Sequence, residues 1–108
     1  MAVKDEKLIE LFRNLAAQFI SRESNRTSLI TVTGASLSDD RKYVTIFLSV
    51  YPDDKEGEAI KFVSRQRSEF KEFVKGHARI GKIPFFDFKI DKGEKNRQKI
   101  ESLLKKSE

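Results

Sequence analysis

Three basic side chains, Arg67, Lys71 and Lys75, recur every four residues, and Arg79 and Lys82 carry the series onward past Gly76. Four-residue steps bring the first three onto one stripe of a helix, and Arg65 stands two residues before it. A row of guanidinium and ammonium groups does no covalent chemistry by itself. Set beside exposed helix and loop backbone it holds a phosphate chain, giving affinity and salt dependence without sequence readout. Arg65, Arg67, Lys71, Lys75, Arg79 and Lys82 are therefore the candidate phosphate-contact residues, with Lys4, Lys7, Arg26 and His77 as weaker candidates. The competing reading is a solvated face with local ion pairs, because Glu69 and Glu72 stand at helical spacing from Arg65 and Lys75. Spacing alone leaves both readings open.

Groups suited to catalysis are scarce. The chain has one histidine and no cysteine, which removes thiolate nucleophiles, disulfides and cysteine-based zinc sites. A serine triad would have to use His77, and no Gly-x-Ser-x-Gly elbow accompanies it. Neither a P-loop nor a Gly-x-Gly-x-x-Gly run is present. His77 is expected at a helix end, where its ring can meet the last carbonyls. The pairs Asp39-Asp40 and Asp53-Asp54 fall where turns are expected, and aspartate there bonds its own backbone. The further ligands that an EF-hand loop would need are missing. No enzyme activity, metal, cofactor or small-molecule substrate is expected.

The elements that must position the basic residues follow from periodicity. Leu8, Leu11, Phe12, Leu15, Ala16, Phe19 and Ile20 recur at three- and four-residue steps, predicting a helix over residues 4–22. Residues 29–37 read as a strand, Ser38-Asp39-Asp40-Arg41 as a turn, and Tyr43–Val50 as a second strand with Val44, Ile46, Leu48 and Val50 on one face. A long helical stretch is predicted over residues 56–77, with Ala59, Val63, Phe70, Val74 and His77 converging on one side. Gly76 and Gly81 are expected to break it. Ile83-Pro84 opens a third strand in which Phe86, Phe88 and Ile90 alternate with Phe85, Asp87 and Lys89. A short helix on Ile100, Leu103 and Leu104 closes the chain and frays over its last residues, within 100–108. Gln66 falls on the apolar stripe of the long helix, where an amide is costly unless its hydrogen bonds are met. A kink at Gln66, Arg67 and Ser68 would free backbone groups to meet them; a roll of the helix would instead point the amide outward.

The whole is an α+β chain with a three-stranded sheet and helices packed on one face. Its 108 residues suit one domain, residues 1–108. Nine phenylalanines and no tryptophan suggest a core built on phenylalanine. Residues 1–60 hold 8 basic and 10 acidic side chains, whereas residues 61–108 hold 14 and 7. The excess of +5 thus lies in the second half, and such asymmetry suggests a polyanionic partner. No apolar run approaches the roughly 20 residues that cross a bilayer. Lys4, Asp5, Glu6 and Lys7 stand where a signal peptide would be apolar. A soluble cytoplasmic protein is expected, with no membrane partner.

The order α-β-β-α-(kink)-α-β resembles a type II KH domain and, more narrowly, the ribosome-binding factor A family. The residues that carry the likeness are Thr31 to Asp40 followed by Tyr43 to Val50, similar to that family's hairpin. Ile83-Pro84 with Phe86, Phe88 and Asp91 resembles its third strand, and Lys99 to Leu104 its closing helix. Gln66-Arg67-Ser68 stands where the family usually has an Ala-x-Gly kink. Asn25-Arg26-Thr27-Ser28 replaces an Asp-Pro-Arg segment, and Arg97 aligns with a glycine. The resemblance implies a factor that binds the immature 30S small ribosomal subunit through its 16S rRNA. It implies help in late maturation and rRNA processing, notably in cold growth, without covalent catalysis, and a monomer when free. KH domains hold nucleic acid beside the helix-break-helix element, here residues 61–82. The rival readings are a KH-like domain acting on another RNA, and a protein-interaction module anchored by exposed phenylalanines such as Phe62 or Phe85.

Overall fold

The computed structural model describes residues 3–22 and 28–93, and the side chains of all of these but Val3, Lys4 and Arg22. Helix α1 spans Val3–Arg22, strand β1 Leu29–Leu37 and strand β2 Tyr43–Tyr51. A 3₁₀ turn at Asp53–Lys55 leads into α2, Glu56–Arg65, and α3, Arg67–His77; strand β3 is Phe85–Ile90. The α-β-β-α-break-α-β order that the resemblance implies is the order observed, whereas periodicity alone read residues 56–77 as one helix. The closing helix at Ile100, Leu103 and Leu104, like Arg26 and Arg97, lies outside the described residues.

The sheet runs β1-β2-β3, with β2 in the middle. β1 and β2 are antiparallel, while β2 and β3 are parallel. A parallel neighbour requires the chain to return to its starting end, and α2 with α3 make that crossover. Along β2 the buried residues are Val44, Ile46, Leu48 and Val50, as the alternation requires. In β1 the core-facing set is Ile30 and Val32, then Ala35 and Leu37. That phase change is absorbed by a bulge: Val32 opposes Leu48 and Gly34 opposes Phe47, leaving Thr33 over. Its hydroxyl donates to Asp91 Oδ2 at 2.6 Å, joining the bulge to the residue after β3.

All three helices cover one face. Phe12, Leu15, Ala16, Phe19 and Ile20 of α1 share one core cluster with Val63 of α2, Phe70 and Val74 of α3, and Phe86 and Phe88 of β3. Phe70 has no exposed surface. Its ring lies 4.7 Å from Phe86, 5.3 Å from Phe19 and 5.9 Å from Phe88, edge-on or tilted. Each such buried ring contributes about 1.5–3 kcal/mol, so the phenylalanine core fixes how the helices sit on the sheet.

Two expectations need adjustment. Gly76 does not break the helix: α3 runs through it to His77 and ends at Ala78, which is extended (φ −138°, ψ 140°). Packing of Phe70 and Val74 in the core outweighs the roughly 1 kcal/mol that glycine costs a helix. His77 is exposed rather than on the buried side. Its Nδ1 meets the Phe73 carbonyl at 2.8 Å and its ring stacks on Phe73 at 4.1 Å, so it sits on the helix end as its position suggests.

Candidate nucleic-acid interface

The long helical stretch divides at Gln66. Its backbone (φ −91°, ψ 4°) ends α2 and precedes α3. The Gln66 N–H donates to Val63 O at 3.0 Å, one residue tighter than an α-helix, and its carbonyl accepts the Phe70 N–H at 2.8 Å. Gln66 Oε1 is buried with no hydrogen-bond partner. Arg67 and Ser68 open the second helix, so the three residues in place of Ala-x-Gly stand at the break itself.

Arg67 turns inward from this break. Its Nε donates to the Phe86 carbonyl at 2.6 Å, and Nη2 reaches Asp87 Oδ1 at 3.3 Å. The guanidinium carbon lies 4.8 Å from the centre of the Phe85 ring. The same Asp87 oxygen accepts the Phe88 N–H at 3.0 Å. The half-buried side chain expected in a solvent-facing phosphate stripe is instead a strut from the helix break to β3. The cause is proximity: the crossover lays the start of α3 against the third strand.

Two grooves flank the loop that leads into β3. The smaller, about 310 Å³, is lined by Arg67, Ser68 and Lys71 on one side and by Ile83 to Phe86 on the other. The larger, about 720 Å³, lies between Leu8, Phe12 and Leu37 on one wall and residues 79–84 on the other, with Asp40, Arg41 and Lys42 at its rim. Ile83 and Pro84 belong to both. Of the six expected cations, Arg67 and Lys71 line the first groove and Arg79 and Lys82 the second. Arg65 and Lys75 are exposed and line neither. Lys75 has Glu72 at 3.6 Å, an exposed pair of small energetic weight. Lys71, Arg79, Lys82 and Arg65 make no ion pair among the described residues. Lys7 is exposed on α1.

Arg41 and Lys42 were not among the expected cations. They sit in the β1–β2 turn, remote in sequence from the helices. Because β2 and β3 run parallel and start level, with Tyr43 opposite Phe85, the segments preceding them emerge at the same end of the sheet. The Phe85 N–H donates to the Lys42 carbonyl at 2.8 Å. Arg41 adopts the left-handed conformation (φ 61°) and pairs with Asp5 of α1. Asp40 shapes the turn: its Oδ1 accepts the Ser38 hydroxyl at 2.7 Å and the Lys42 N–H at 3.0 Å. These bonds, the Ser38 hydroxyl first, hold its carboxyl below the ordinary value of 3.8. The signal that would have revealed Lys42 is the pairing of β2 with β3, which turns two distant basic segments into neighbours.

His77 lines neither groove. Phe62 is half-buried against the core, whereas Phe85 is exposed. Among the described residues no group of three or more His, Cys, Asp or Glu side chains could hold a metal ion. No described helix is long and apolar enough to cross a membrane.

The family model of ribosome-binding factor A matches residues 4–104. The chain is 32% identical over 105 residues to ribosome-binding factor A of Anaeromyxobacter sp. (strain Fw109-5), covering 94% of this chain and 86% of that one. It is 26% identical over 105 residues to the protein of the same name from Thermomicrobium roseum, covering 94% and 81%. The crystal structure of ribosome-binding factor A from Thermus thermophilus superposes with a TM-score of 0.71 at 18% identity, over 80% of this chain and 94% of that one. A homology model of the Thermus thermophilus factor, fitted into the cryo-electron-microscopy map of a 30S complex, gives 0.67 at 18% identity over 75% and 88%. At such identities the likeness to solved structures speaks to the fold, which is α+β and KH-like.

Proposed function

The chain belongs to the ribosome-binding factor A family, and from that premise we propose that it binds the immature 30S small ribosomal subunit through its 16S rRNA. There it assists late maturation and rRNA processing as a single, cytoplasmic, monomeric KH-like domain that does no covalent chemistry. The observation that carries this reading is the gathering of Lys42, Lys71, Arg79 and Lys82 around two grooves that meet at Ile83 and Pro84. Positive charge concentrated beside a helix break and a loop fits a phosphate chain. The fitting of a Thermus thermophilus relative into a map of a 30S complex supports the same partner.

Sedimentation tests the reading. The protein is expected to travel with free small subunits and not with translating ribosomes. The double substitution Lys71→Glu, Lys75→Glu is expected to weaken that association at physiological salt while leaving the melting temperature nearly unchanged. Cosedimentation with translating ribosomes alone, or indifference to the double substitution, would count against it.

A further inference from the structure

The RNA reading so far rests on cations and gives no role to the exposed rings beside them. Tyr43 and Phe85 are Cα partners at the start of β2 and β3, and both are open to solvent, 57% and 51% exposed. Their rings meet edge to face with centroids 6.1 Å apart. Burial would normally claim such residues, since an exposed aromatic pair gives up favourable transfer from water. Arg67 lies over the Phe85 ring, held there by Phe86 O and Asp87, so Phe85 is braced rather than loose.

The setting selects the ligand. Lys71 lines the groove that Phe85 lines, and Lys42 is hydrogen-bonded through its backbone to Phe85. Leu29 and Tyr51 form a second exposed pair at the other end of the hairpin. That pair is followed by the exposed carboxylates Asp53 and Asp54, which repel phosphate. Among the described residues, only the Tyr43–Phe85 pair joins solvent-exposed rings to cations that make no ion pair. Single-stranded nucleic acid needs that combination, because unstacked bases lie on aromatic rings or guanidinium planes while cations follow the backbone. A base inside a duplex is already stacked and offers no such face.

We propose that the Tyr43–Phe85 pair is a stacking platform for an unpaired RNA base, with Lys42 and Lys71 holding the adjacent phosphates. This deepens the small-subunit reading and rests on it. The platform gives the protein a reason to prefer unpaired segments of an RNA over its finished helices.

The test compares Tyr43→Leu, Phe85→Leu and Tyr51→Leu in the full chain, using a short single-stranded oligoadenylate, an RNA duplex of equal length, and isolated small subunits. Thermal melts establish that each variant folds. Tyr43→Leu and Phe85→Leu are each expected to lose about tenfold affinity for the single strand, the scale of one stacked base. The slope of affinity against salt stays unchanged, because no phosphate contact is lost. Tyr51→Leu keeps wild-type affinity, and the duplex shows no difference among the variants. In a Tyr51→Phe background Tyr43 becomes the one tyrosine, and with no tryptophan in the chain its emission falls on adding oligoadenylate. Wild-type affinity in both platform variants, or no binding of the single strand by the wild type, overturns the platform. Loss of small-subunit binding with unchanged single-strand binding also overturns it and assigns the rings to a protein or duplex contact. If the wild type does not sediment with small subunits at all, the functional reading fails separately from the platform.

Discussion

Asp40 is a single exposed carboxylate whose charge is built into the β1–β2 turn. Its ionised form accepts the Ser38 hydroxyl and the Lys42 N–H, so the folded chain favours the carboxylate and lowers its pKa. A group shifted downward contributes stability that is fully present above its unfolded pKa and is lost as pH falls through the lower, folded one. The turn is therefore expected to loosen only below pH 3.8. A carboxyl ¹³C titration should give Asp40 a midpoint under that value, and Ser38→Ala should move it upward. A wild-type midpoint at or above 3.8 would contradict the turn geometry. The same scale separates Arg67 from Lys71. Both lie on one face of α3, but the fork of the guanidinium can reach a carbonyl and a carboxylate together, which an ammonium does less well. No spacing rule in the sequence distinguishes an arginine that braces from one that waits for a ligand.

The elements were legible because their apolar residues keep a period. The alternation in β2 and the three- and four-residue steps in α1 survive into the structure with boundaries shifted by one residue or less. The core faces of α2 and α3 were legible for the same reason. Gly76 was misread because a local propensity was weighed without the packing that opposes it. Nothing lies within 4 Å of a Cβ placed at Gly76, and its conformation is helical. Gly76→Ala is thus expected to stabilise the fold by about 0.4–1 kcal/mol, read as a rise in melting temperature. Gln66 offers the opposite case. Its buried, unpartnered Oε1 carries a desolvation cost of about 1–3 kcal/mol, so Gln66→Leu should also raise the melting temperature while the break remains. A fall in that temperature would mean that the amide supports the break. The bulge at Thr33 was written in the sequence as a slip from Ile30 and Val32 to Ala35 and Leu37, a cue that reads as noise until the partner strand is known.

Across the described part of the molecule the positive charge of Lys71, Arg79 and Lys82 gathers at one end of the sheet. There it joins Lys42, from the half whose own balance is negative. This convergence depends on parallel pairing across some forty residues, and local patterns contain no trace of it. If the two grooves carry the phosphate contacts, removing Arg79 and Lys82 together should flatten the fall of RNA affinity with salt. The expected change in slope is about 0.7 for each contact to a single strand. Arg65→Ala, outside both grooves, should leave the slope alone. Equal effects from the two variants would mean that the charge acts as a diffuse field rather than at the grooves.

The brace from Arg67 has a bearing on how many copies of this chain can share one sheet. Phe85 and Asp91 give their N–H groups to the carbonyls of Lys42, just before β2, and of Leu48 within it, so Phe86 and Phe88 aim theirs at the outer rim. On that rim the Phe86 acceptor is held by Arg67 and the Phe88 donor by Asp87. A stray β-segment trying to zip onto β3 finds both groups spoken for. The Arg67–Asp87 pair thereby guards the β3 edge against the edge-to-edge sticking to which open sheets are prone.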